Sequence, residues 1–91
     1  MNRYLIESPH KPEDCERIIK EVQAAGYLHH FEWGCHDGVH AGWAIVETDN
    51  IEHARQMIPW DVRNLARVVK VENFEKVDPL HPHKVKKSQE E

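Results

Sequence analysis

Tyr4-Leu5-Ile6-Glu7-Ser8 returns as Ala44-Ile45-Val46-Glu47-Thr48, and each stretch is followed by apolar residues at helical spacing. The echo divides a 91-residue chain into two halves of the same plan: a strand, a crossover and a second strand. Reading outward, strand one spans Arg3 to Ser8 and ends at Pro9, whose ring removes a ladder donor. Helix one is expected from Pro12 to Ala25, because Cys15, Ile18, Ile19, Val22 and Ala25 mark one helical face. Glu13 and Asp14 occupy its positive end and Gly26 supplies a left-handed stop. On the same phase argument, Cys15 reads as a core-packing residue.

Strand two is expected from His30 to Cys35, turning at Asp37-Gly38, a pair that favours a tight hairpin, into strand three, Ala41 to Glu47. Helix two starts after Asp49, with Asp49 and Glu52 spaced as a capping box, buries Ile51, Ala54, Met57 and Ile58, and stops at Pro59. Trp60 to Ala66 is a link, and strand four, Arg67 to Phe74, carries Val68, Val69 and Val71. These elements predict an α+β domain of ferredoxin-like βαββαβ type over residues 1–77, with a polar, flexible C-terminal tail over 78–91. The expected sheet order is 4-1-3-2, with both helices on one face and strands one and three parallel at the centre. Strand residues are apolar on both faces: Tyr4, Ile6, Ala44 and Val46 on one, Leu5, Trp43 and Ile45 on the other. The second face therefore calls for a partner subunit.

Composition narrows the function classes. Sixteen acidic and twelve basic side chains give a formal charge of -4. That leaves no basic surplus for a nucleic-acid footprint. No leader-like segment and no long apolar span are read, so no membrane partner and a cytoplasmic location are expected. Cys15 and Cys35 sit in unlike contexts, one on a helix face and one by a turn, so a reducing compartment fits. Eight histidines are the compositional outlier.

Two candidate sites emerge. Glu32, Cys35, His36 and His40 gather about the expected hairpin; a thiolate with imidazoles suits Zn²⁺, Ni²⁺ or Cu²⁺, and a closed site needs four ligands. The alternative is a polar hairpin with Cys35 packed beside Trp33. The second site follows from the echo: Glu7 and Glu47, placed side by side on parallel strands, would share a cation or a proton, with His10 and Trp43 completing a ligand pocket. Against it stands a plain ion pair between Glu7 and Lys70. Trp33, Trp43 and Trp60 would line a cavity between sheet and helices, or simply fill core and interface. The His81-Pro82-His83 tract reads at most as an adventitious metal binder.

Gly42-Trp43-Ala44-Ile45-Val46-Glu47, then Asp49 and a short helix ending Ile58-Pro59-Trp60, then Val68-Val69-Lys70-Val71, resembles the small bacterial dimeric α/β-barrel proteins. The resemblance covers roughly the second half of the chain. That superfamily includes domains of unassigned function, small nickel-binding proteins, muconolactone isomerase-like enzymes and cofactor-independent monooxygenases, and the similarity is nearest to the unassigned members. It implies the fold and a homodimer built through the open sheet face, and it carries over no site. The sequence thus reads as a small homodimeric protein binding a transition metal or another ligand. A cofactor-independent isomerase or monooxygenase for a small apolar compound, or a purely structural dimer, stands as the alternative.

Overall fold

The computed structural model describes residues 1–78 and 81–87, with side chains as far as Phe74. Strand β1 (Asn2–Pro9) leads through a 3-10 turn (Pro12–Asp14) into helix α1 (Cys15–Ala24). A 3-10 turn (Leu28–His30) precedes the short strand β2 (Phe31–Trp33), and another (Cys35–Asp37) lies between β2 and strand β3 (Ala41–Thr48). Helix α2 (Ile51–Arg55) and a 3-10 segment (Trp60–Leu65) lead to strand β4 (Arg67–Val71). Strands β5 (Phe74–Asp78) and β6 (His81–Lys87) form a separate antiparallel pair. Of the stretch read as a polar tail, residues 79–80 and 88–91 lie outside the described residues, as do the side chains of His81 and His83.

The main sheet runs β2-β3-β1-β4, and every pairing in it is antiparallel. The expected parallel contact between strands one and three is therefore wrong. The crossover through α1 leaves β1 and β2 pointing the same way, and the reversal between β2 and β3 turns β3 back against β1. This correction dissolves the carboxylate pair. Glu7 lies opposite Trp43 and Glu47 opposite Arg3. The two glutamates share a face but stand four residues apart along the strands, about 13 Å. The register also replaces the expected Glu7 to Lys70 pair: Lys70 lies opposite Tyr4, while Arg67 lies opposite Glu7 with Nη1 3.9 Å from Oε1.

Alternation along the strands builds the core. Tyr4, Ile6, Ala44, Val46 and Phe31 turn to one face, where they meet Ile18 and Val22 of α1, Ala54 of α2, and Ile58 and Val62 beyond it. Leu5 faces the other way and is flanked across the sheet by Ile45 and Val69. These three side chains are 37%, 54% and 41% exposed. The helices depart from expectation at their starts. The first turn over Pro12–Asp14 is 3-10, so α1 begins only at Cys15, and Gly26 closes it at φ 87°. Helix α2 is capped by Asn50 and not by Asp49: Asn50 is extended, and its side-chain oxygen accepts the His53 N–H at 3.0 Å. Ile51 consequently faces solvent.

The β2 to β3 connection is fixed by a reciprocal packing of tryptophan on glycine. The Trp33 ring covers Gly42, where an added Cβ would come within 2.7 Å of it. The Trp43 ring covers Gly34, where a Cβ would meet Trp43 at 2.9 Å and the Val39 carbonyl at 2.8 Å. Trp33 and Gly42 are register partners, so the two rings clasp the strand pair from opposite faces.

The cap assignment is testable by urea denaturation. Asn50→Ala should lower unfolding free energy by about 1 kcal/mol, whereas Asp49→Ala should leave it nearly unchanged.

Candidate metal centre

Four potential ligands arrive from four places in the chain. His10 follows β1, Cys15 opens α1, Cys35 opens the 3-10 turn after β2, and His40 immediately precedes β3. The convergence begins with the sheet. Pro9 opposite Ala41 is the last register pair of β1 and β3, and one rung further the His10 N–H donates to the His40 carbonyl at 3.0 Å. The chain then folds back at Lys11, whose carbonyl accepts the Asp14 N–H at 2.9 Å, and this brings the start of α1 over the sheet end. On the other side Gly34 N–H donates to the Ala41 carbonyl and Val39 N–H to the Gly34 carbonyl. Gly38, at φ 84°, supplies the left-handed residue that completes the turn bearing Cys35.

The donor atoms all lie within 4.8 Å of one another. Cys15 Sγ is the hub, 3.1 Å from His10 Nε2, 3.1 Å from His40 Nδ1 and 2.8 Å from Cys35 Sγ. Cys35 Sγ is also 3.4 Å from His10 Nε2. His10 is buried, and the other three are half-buried. Its ring stands 6.1 Å from that of Trp33 and 6.2 Å from that of His40. Arg17, two residues after Cys15, ties α1 to its surroundings: it contacts Asp14 at 3.7 Å before the helix, Glu21 at 2.9 Å within it and Asp61 at 2.9 Å beyond it.

The surroundings favour the uncharged forms of Cys15 and His10. Burial pushes the Cys15 thiol up to about 11, aided by its hydrogen bond to Cys35, the Cys35 charge and Asp14. Burial also lowers His10, with His40 acting in the same direction and the Ser8 backbone and Asp14 opposing it. Among the described residues, Ser8 Oγ, His10 Nδ1 and Trp33 Nε1 are buried with no partner in hydrogen-bond geometry. Two thiols and two imidazoles in a compact group are a donor set for a soft or borderline transition metal. The tetrahedral S₂N₂ arrangement is typical of zinc. Metal–ligand bonds of about 2.0–2.3 Å imply tetrahedron edges of roughly 3.3–3.8 Å, so the short contacts of Cys15 would lengthen by up to about 1 Å, and donors standing as far as 4.8 Å apart would draw together, to accept the ion.

Cys35 and His40, expected as ligands, belong to this group, and His10, expected beside the carboxylates, joins them. Glu32 and His36 do not. Glu32 is exposed on β2 opposite Trp43, and His36 is exposed on the turn. The expected two-residue hairpin is in fact a seven-residue connection, 34–40, so the opposition of Cys35 and His40 arises from a 3-10 turn and not from a β ladder. The three tryptophans do not share a cavity: Trp33 flanks His10, Trp43 lies on the opposite sheet face, and Trp60 is 79% exposed. Helical phase alone puts Cys15 in the core, whereas the structure puts it in the donor cluster. As the first residue of α1 it lies at the end of the apolar stripe, where the stripe runs off the core toward the strand ends. A sequence signal for it exists in the spacing: four residues separate His10 from Cys15, and four separate Cys35 from His40.

No family model, curated protein or solved structure matches the chain.

The opposed shifts at the site set a pH window for the reduced, metal-free protein. His10 is lowered, so the unfolded chain binds its proton more readily and stability falls as pH drops below the ordinary histidine value of 6.5. Cys15 is raised, so the unfolded chain loses its proton more readily and stability falls as pH climbs from 9.0 toward about 11. Thermal melts across this range should show a plateau between the two limbs. Cys15→Ser should flatten the alkaline limb and leave the acid one.

Proposed function

We propose that this is a small metal-binding protein whose His10, Cys15, Cys35 and His40 hold one Zn²⁺. The observation that carries the reading is the mutual approach of four ligand atoms within 4.8 Å. Because the chain supplies four donors, the set is that of a closed structural centre, with no coordination position reserved for substrate. The ligands come from the end of β1, the start of α1, the β2 to β3 connection and the start of β3. A bound ion would therefore cross-link the strand ends to the helix, and its binding free energy would be added to that of a small core. Zinc uptake would displace the thiol protons. For the enzyme alternative, whose base would be Glu47 or Glu7, the two carboxylates do not adjoin each other on the sheet.

The ferredoxin-like arrangement and the dimer belong to the same proposal. Both helices contribute to the core on one sheet face. The row Val69-Leu5-Ile45 lies on the other, apolar and open. A second copy of the chain seated on that row would cover it and give a dimeric barrel. Among the described residues no helix is long and apolar enough to cross a membrane.

Anaerobic titration of the reduced protein with Co²⁺ tests the metal reading. One equivalent per chain should produce the visible absorption of tetrahedral, thiolate-bound cobalt, and Zn²⁺ should erase it. Cys15→Ser or Cys35→Ser should weaken binding at least tenfold, while His36→Ala and Glu32→Gln should not change it. Full occupancy retained in Cys15→Ser would refute the proposed ligand set.

Sedimentation velocity tests the dimer. The wild-type chain should sediment as a dimer at micromolar concentration, and Ile45→Glu should sediment as a folded monomer. A monomeric wild type would remove the partner from the proposal.

A further inference from the structure

The two cysteines of the centre are placed for a second chemistry. Their sulfurs stand 2.8 Å apart, between the disulfide bond length of about 2.05 Å and the roughly 3.8 Å edge that two zinc-bound thiolates would span. A shift of less than about 1 Å in either direction selects one state or the other. The thiols are also reachable. A groove of about 480 Å³ is lined by both cysteines together with Pro12, Ile19, Lys20 and His36. Neither sulfur belongs to an existing disulfide, and they are carried by different elements, α1 and the turn after β2.

We propose that Cys15 and Cys35 are a reversible disulfide site, oxidised by small hydroperoxides that enter along this groove, and that closing the bond empties the metal centre. The second clause rests on the zinc reading; the first does not. One cysteine sulfur attacks the peroxide oxygen, the O–O bond breaks, and water leaves, giving a sulfenic acid. The neighbouring sulfur then attacks that sulfur, the S–O bond breaks, and the hydroxyl departs with a proton as a second water. Two thiols and one hydrogen peroxide thus give one disulfide and two waters, with sulfur losing two electrons and peroxide gaining them. Oxidation removes two of four ligands, so His10 and His40 alone remain for the metal. A dithiol reverses the step by exchange, taking the oxidation into its own ring disulfide.

The experiment uses the full chain in two arms, with zinc uptake measured before oxidant is added. Metal-free, reduced protein treated with an equimolar amount of hydrogen peroxide should become lighter by two hydrogen atoms. A non-reducing tryptic digest should then link the peptides 4–17 and 21–55. Zinc-loaded protein should release one Zn²⁺ to a chromogenic chelator for each disulfide formed and take it back after dithiothreitol. Cys15→Ser and Cys35→Ser should gain oxygen atoms on the remaining cysteine and form no internal link.

Oxygen addition to the wild type without the linked peptide pair would overturn the disulfide site. A linked pair with zinc still bound would overturn its coupling to the metal. Failure to take up zinc before oxidant, with the linked pair still formed in the metal-free arm, would overturn the metal reading and leave the disulfide site standing.

Discussion

The antiparallel pairing of β1 with β3 is the constraint on which the rest of the molecule depends. It buries one face of both strands under the helices and, at its far end, carries one more backbone hydrogen bond, from His10 N–H to the His40 carbonyl. That extra rung places two imidazoles side by side before any side-chain packing is considered. The two cysteines are then delivered by the chain segments that leave and enter the same end of the sheet. The site is thus a property of the topology more than of one motif. Shifting the register by one residue would separate the histidines and turn the apolar set of the strand that slips, Tyr4 and Ile6 or Ala44 and Val46, away from the core.

Much of this was readable from residue patterns, and the failures have physical causes. The strands were found by alternation, and α1 by its apolar stripe, because those periodicities reflect burial directly. The parallel pairing expected of strands one and three comes from applying the crossover rule to each half; that rule sets the hand of each crossover, and alternation carries no information on the polarity of one half against the other. The cap of α2 slipped by one residue because Asp49 and Asn50 are both good caps and only backbone conformation decides between them. The place of Cys15 is not legible in its spacing, because helical phase reports which side of a helix a residue occupies, not how far along the axis the core extends. Glu32 and His36 are near Cys35 and His40 in sequence but stand apart from the cluster, since a strand sends alternate residues to opposite faces and a 3-10 turn sends its middle outward. Trp60 follows Pro59 at the start of a 3-10 segment that presents the ring to solvent.

The electrostatics of the centre belong to the same economy of a small domain. Burial disfavours charge on two of the four gathered donors, raising the Cys15 thiol and lowering His10. Such a group is polar and cohesive but supplies little hydrophobic stabilisation. Its position is held instead from outside by the ion pairs of Arg17, which bind α1 to the segment before β4, and by the turn over Lys11 to Asp14. The protein spends structure on holding donors together, which core packing alone gives no reason to do.

The clasp of Trp33 over Gly42 has a consequence for how this chain tolerates change. The ring and the missing side chain occupy one volume, since a Cβ at position 42 would intrude to 2.7 Å of the indole. Trp33 also backs the His10 ring. The two positions therefore behave as a single heritable unit. A larger residue at 42 becomes acceptable only in a chain whose residue 33 has already become smaller, and that first step would strip a wall from the ligand cluster. Mutational drift in this hairpin is coupled to the cluster it carries, although neither residue supplies a ligand.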